Sequence, residues 1–133
     1  MTFINFIKQF FKKPKITIRI IVNKKELNIK AKFLDNLYQL PQFNEVRDFI
    51  NNDNLSFKKY RKEYFDCDDF AIILWGRLRE QFQGCAVGFA LSGTHAFNVF
   101  IDDKRKMWII EPQTDKIFKY DNNPKYKIKT LII

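Results

Sequence analysis

One histidine, two cysteines, four glycines and four prolines are all that this 133-residue chain holds of the residues that most often punctuate or functionalise a fold. With a single imidazole and no paired CxxC, the usual structural zinc sets are excluded. Any imidazole chemistry has one address, His95. So few Gly and Pro imply that most of the chain is regular structure. Cys67 and Cys85 are the right number for one disulfide, but a chain with its own core needs no such staple, so free thiols are expected. Long apolar runs are missing too. The block Met1 to Lys13 is too short for a transmembrane segment, and its cations follow the apolar residues, the wrong order for a signal peptide. A cytoplasmic location is the expectation. Phe3, Phe6, Ile7 and Phe10 fall at helical spacing, so this block reads as an amphipathic helix that docks on the domain or, as the less favoured alternative, touches a membrane surface.

What the chain has in plenty is aromatic carbon: 17% Phe, Trp and Tyr, with fifteen Phe, in a composition 46% hydrophobic. That excludes a disordered chain and predicts one aromatic-rich core, hence a single domain over residues 1–133. A net charge of +9 attracts polyanions, whether nucleic acid, an anionic membrane or an acidic protein partner. The lysines are spread along the chain in an Asn-, Lys- and Ile-rich composition, so nucleic acid is not favoured as the main partner.

Periodicity predicts strands at Lys15 to Val22 and Glu26 to Lys32 around a turn at Asn23 to Lys25, then helix at Leu34 to Leu40 and Glu45 to Asn51. The clearest helix runs from Cys67 to Phe82, capped by Asp66 with Asp69 at its third position. After Gly84 the period changes to two. Strands are predicted at Ala86 to Leu91, His95 to Ile101, Met107 to Glu111, Ile117 to Tyr120 and Tyr126 to Ile132. Helix first and sheet second is an α+β order.

The order Cys67, His95, Glu111 is that of a nucleophilic triad. A thiol at the first position of a helix lies near unpaired N–H groups and the positive end of the helix dipole. With the hairpin turn centred on Lys104, positions summing to about 207 pair, which sets His95 opposite the Glu111–Pro112 end. Three acids beside the cysteine, Asp66, Asp68 and Asp69, oppose a thiolate. They serve as caps and solvated groups, or they hold a divalent cation: clustered Asp oxygens with Glu111 and the amide oxygens of Gln113 or Asn98 make the all-oxygen shell that calcium prefers. Cys85, between Gly84 and a strand, reads as a small core residue, and Trp75 and Trp108 read as core, Trp108 alternatively lining a cleft.

Three segments in this order, Tyr64 to Ala71, His95 to Asn98 and Trp108 to Thr114, resemble the C-terminal cysteine-peptidase domains typified by the Marasmius mushroom agglutinin and the small phage and bacterial proteins similar to it. The resemblance covers about Tyr64 to Lys119. It implies a papain-like fold, with Cys67 as nucleophile, His95 as general base and acid, and Glu111 orienting His95. It also implies calcium at Asp68, Asp69 and Gln113, with Asn98 and Glu111 less directly involved. The agglutinin's lectin part has no counterpart here, so its sugar binding is not carried over. One departure is the lack of a clear oxyanion-hole glutamine upstream of Cys67, for which Gln39 and Gln42 are the candidates.

The resulting expectation is an α+β, papain-like thiol hydrolase acting on a peptide or amide carbonyl. The same parts serve transglutaminase-like acyl transfer. From another class comes a catalytically silent basic module for nucleic acid or an acidic protein partner.

Overall fold

A computed structural model of the chain describes residues 17–121 and 123–133. The helix expected over Met1 to Lys13, and the first two residues of the strand expected from Lys15, lie outside them. In chain order the elements are β1 (Ile20–Asn23), β2 (Leu37–Leu40), α1 (Phe43–Asn52), α2 (Cys67–Gln81), β3 (Val87–Leu91), β4 (Ala96–Ile101), β5 (Met107–Glu111), β6 (Lys116–Lys119) and β7 (Thr130–Ile132). Short 3-10 turns lie at Lys24–Leu27, Leu55–Phe57 and Pro124–Tyr126. β1 and β2 form an antiparallel pair, and the other five strands form one antiparallel sheet in the order β6, β5, β4, β3, β7.

β4 lies at the middle of that sheet, and all six of its residues are buried. Its sequence, Ala-Phe-Asn-Val-Phe-Ile, is nearly continuous apolar because both sheet faces are covered. On one face Phe100 packs with Phe70, Leu74 and Leu78 of α2 and with Val46 and Ile50 of α1. On the other, Phe97 and Val99 meet Ile109, Leu131 and Tyr126. The one polar residue of the strand, Asn98, is fully buried and donates from Nδ2 to the carbonyls of Ala71 at 2.9 Å and Gly88 at 3.3 Å. It thereby ties α2 to the sheet.

α2 forms where its apolar stripe predicts. Its start is fixed by the Asp66 N–H donating to Asp69 Oδ2 at 3.0 Å, one half of a capping box. Its end comes where the Phe82 N–H closes on the Leu78 carbonyl at 2.7 Å, and Gly84 then turns the chain with a φ of +76° that a side chain would resist.

Two sequence expectations give way here. In place of the return strand expected at Glu26 to Lys32, a 3-10 turn runs over Lys24–Leu27 and irregular chain follows it, because Asn23 Oδ1 accepts from the Glu26 N–H while Glu26 Oε1 accepts from the Asn23 N–H, and Asn28 is left-handed. The partner of β1 comes from Leu34 to Leu40, expected as helix. Leu37, Tyr38 and Leu40 suit either period, and the tertiary anchor decides: the Tyr38 hydroxyl donates to the Ile133 carbonyl at 2.7 Å.

The fold class changes accordingly. In place of the α+β, papain-like arrangement, the described residues form a mostly antiparallel β architecture of seven strands with two α-helices. The half expected to be helix-rich supplies a strand pair of its own.

Candidate functional site

His95 is placed by a tight turn between β3 and β4. The Ser92 N–H donates to the His95 carbonyl at 2.9 Å, and the His95 N–H donates to Ser92 Oγ at 3.1 Å. Ser92 is itself buried, so the turn is pinned from inside. The imidazole Nε2 then lies 3.0 Å from both carboxylate oxygens of Glu111, and both side chains are 8% exposed.

The expected pairing sum of about 207 is off by one. β4 and β5 pair at 208, as Asn98 with Ile110 and Ile101 with Met107 show. Continued outward, this register sets Glu111 across from Phe97, on the face His95 shares. A slip of one residue would have turned the carboxylate to the other face. Aromatic rings fix the imidazole further, Phe97 stacked at 6.1 Å between centroids and Tyr126 edge-on at 5.6 Å. Burial, and then the charge of Glu111, push the Tyr126 phenol above its usual range.

Cys67 is the half-buried first residue of α2, and it shares an open groove of about 440 Å³ with His95. Asp68 lies at the groove's α2 side, and Ser92, Thr94, Lys129 and Thr130 supply hydroxyls and a cation on the other. The sequence reading missed Ser92, Lys129 and Thr130. Only the small polar turn Ser92-Gly93-Thr94 hinted at them. Cys85 is buried, 3% exposed, and its thiol is pushed up to about 11, mainly by burial, with Glu45 adding and Arg19 opposing.

Asp66, Asp68 and Asp69 bring carboxylate oxygens within 4.8 Å of one another. The Asp66 carboxyl is raised to about 6, first by its hydrogen bond with Asp68, then by burial and the Asp68 charge. Three carboxylates brought this close are a donor set a divalent cation suits. Gln113 stands instead in the turn after β5, with no hydrogen bond to the aspartates, and Asn98 is turned under α2. Neither glutamine suggested for an oxyanion hole lines the groove. Gln39 belongs to β2 and Gln42 to a second groove of about 340 Å³ with Phe43, Asp102 and Trp108. Trp108 donates from Nε1 to the buried Asp102 at 2.8 Å and does not reach the Cys67 groove.

The family model described as "Agglutinin C-terminal" matches residues 38–117, more than half of the chain. No curated protein matches. Among solved structures, one titled "PSL1a-E64 complex" aligns with a TM-score of 0.72 at 19% identity, covering 85% of this chain and 51% of that one. A Polyporus squamosus lectin bound to the human-type influenza-binding epitope Neu5Aca2-6Galb1-4GlcNAc aligns at 0.64 with 24% identity, covering 82% of this chain and 44% of that one. The chain thus spans about half the length of these structures.

These matches revise the functional expectation along with the fold. An agglutinin family model and a β-rich fold shared with a solved lectin structure stand where a papain-like peptidase was expected. The reading of the chain as a thiol hydrolase is corrected on that ground. The alternatives of acyl transfer and of a basic module for nucleic acid or an acidic protein find no support in them either.

Proposed function

We propose that the chain, which belongs to the agglutinin C-terminal family, is a carbohydrate-binding protein whose ligand site is the groove at the start of α2. The observation that carries this is the His95–Glu111 pair, held at 3.0 Å and 8% exposed at the edge of an open groove. Burying two ionisable groups is costly, and folds rarely keep such a pair beside a groove without a ligand to meet it. With Nε2 committed to Glu111, Nδ1 is the hydrogen-bonding atom left to a ligand. Around it the hydroxyls of Ser92, Thr94 and Thr130, the Lys129 ammonium and the Asp68 carboxylate offer the mixed donors and acceptors that sugar hydroxyls require. The likeness to a lectin structure adds to the case.

In this reading Cys67 and His95 contact the ligand and Glu111 orients His95. Calcium belongs to the same proposal. Asp68 and Asp69, with Asp66, would hold it at the mouth of the groove, where it would neutralise the three crowded carboxylates.

Titration calorimetry with N-acetyllactosamine and its α2,6-sialylated form tests the site. Binding of either sugar that weakens about tenfold or more in His95→Ala supports it, since about 1.4 kcal/mol separates each decade. Absence of binding by both sugars, with calcium present and absent, would remove it. Calcium is read separately: a rise in Tm on adding the ion, lost in Asp68→Asn, is expected, and an unchanged Tm would remove the metal.

A further inference from the structure

Between the 3-10 turn Leu55–Phe57 and the start of α2, residues 57–64 are all exposed and read Phe-Lys-Lys-Tyr-Arg-Lys-Glu-Tyr. Both ends of this loop are anchored. Leu55 is buried and the Ser56 hydroxyl donates to Asp115 Oδ2 at 2.6 Å, while Phe65 packs edge-on against Phe70 at 4.8 Å between centroids. The Arg61 N–H donates to the Phe65 carbonyl at 2.7 Å and the Phe65 N–H to the Arg61 carbonyl at 2.6 Å, closing a tight turn in which Glu63 is left-handed at a φ of +67°. This framework turns aromatic rings outward: Phe57 is 87% exposed, Tyr64 80% and Tyr60 48%. Rings carry the largest apolar surface a side chain offers, so three left in water on one short, braced loop call for a partner. The cations among them, Lys58, Lys59, Arg61 and Lys62, share the loop with one carboxylate, Glu63, and among the described residues none of the four makes an ion pair.

We propose that this loop docks the protein on an anionic lipid bilayer, with Phe57, Tyr60 and Tyr64 entering the interface and the four cations lying on the headgroups. Tyrosine suits the boundary between headgroups and acyl chains, where the ring is dry and the hydroxyl wet. Each Lys or Arg near an anionic leaflet strengthens binding about fivefold. The chain's net charge of +9 adds long-range attraction, which offsets Asp66, Asp68 and Asp69 at the loop's base. A nucleic-acid strand fits the same loop less well. Bases stack on open ring faces along a groove, whereas the Arg61 guanidinium stands over the Tyr64 ring at 5.7 Å and neither groove described above includes the loop.

The bilayer contact needs no sugar, so vesicles free of glycolipid separate it from the carbohydrate groove. Co-sedimentation of the full chain is measured with phosphatidylcholine vesicles and with vesicles containing about one-third phosphatidylserine, in chelator so that no calcium bridges acid to lipid. Binding to the anionic vesicles is expected to exceed that to the neutral ones about tenfold or more, and to fall with added salt. Phe57→Ser with Tyr64→Ser should weaken it about tenfold, and Lys58→Gln with Lys59→Gln and Lys62→Gln should remove most of the anionic preference. All five positions are exposed, so both variants are expected to keep the parent Tm, which checks that they fold. No binding, equal binding to the two vesicles, or binding that either variant retains in full would overturn the proposal. Tighter, loop-dependent binding of a single-stranded thymidine oligonucleotide, read by fluorescence anisotropy, would overturn it in favour of nucleic acid.

Discussion

His95 and Glu111 meet because β4 and β5 pair at a sum of 208: the carboxylate falls across from Phe97, two residues inward from His95 and on the same face. The imidazole Nε2 is thereby shared at 3.0 Å between both carboxylate oxygens, out of contact with most solvent.

Glu111→Gln keeps the shape and a hydrogen-bonding partner for the ring nitrogen, so it is expected to destabilise the chain less than Glu111→Ala. Glu111→Ala leaves the buried ring nitrogen unpaired and is expected to cost about 1–3 kcal/mol in urea unfolding. A cost below about 0.5 kcal/mol in Glu111→Ala would show that the pair does not hold the imidazole in place.

The two thiols differ in access. Cys67 is half-buried on the groove, whereas Cys85 is 3% exposed and its thiol is raised to about 11. Iodoacetamide at pH 8 is expected to label Cys67 first, leaving Cys85 unmodified until the chain unfolds. Peptide mapping by mass spectrometry decides it, and slowing by a bound sugar would place the ligand in the groove. Equal labelling of the two thiols in the native state contradicts this account.

Asp66 predicts a pH effect of definite sign. Its carboxyl is raised to about 6 in the folded chain, above its unfolded value near 4, so the folded state holds the extra proton between those limits. The group's contribution to stability is present below about 4 and is lost as pH rises through about 6. Asp68→Asn removes the first cause of the shift. Melting temperatures measured across this window should therefore fall less steeply with pH in the variant than in the parent. Identical slopes would refute the assignment.

Packing between α2 and the sheet is tested at Asn98 and Gly88. Asn98→Ala removes the donor to the Ala71 and Gly88 carbonyls and is expected to cost about 1–3 kcal/mol. A Cβ on Gly88 would meet the Ile132 carbonyl oxygen at 2.9 Å and Leu131 Cδ1 at 3.0 Å. Since the nearer atom is backbone, Gly88→Ala is expected to cost about 1–3 kcal/mol as well. Chemical denaturation reads both, and a cost below about 0.5 kcal/mol at either position would mean that the sheet and helix yield there.

Much of the scaffold was readable in the residues. α2 announced itself through Ala71, Leu74 and Leu78 on one stripe and Asp66 before it, and β5 was bounded correctly at Met107 and Glu111. Local signals were enough there because the apolar period and the caps agree. They failed at Leu34 to Leu40, where the apolar spacing fits both periods and only the long-range Tyr38 contact to Ile133 selects a strand. They also failed at the last strand, expected from Tyr126, of which only Thr130–Ile132 is extended; Pro124 and Asn123 start a 3-10 turn that swings Tyr126 onto His95.

The residues alone settle which side chains are on hand: one imidazole, one thiol at a helix start, three clustered acids and a sheet-rich second half. These follow from composition, periodicity and capping, which act over a few residues. Which of them meet is settled by long-range packing. The pairing register turned Glu111 to the face of His95, the long return to β7 laid Lys129 over Gly93, and Asn98 was spent on holding α2. Each depends on contacts between residues far apart in the chain, where a one-residue slip exchanges the faces of a strand and no local preference fixes the outcome.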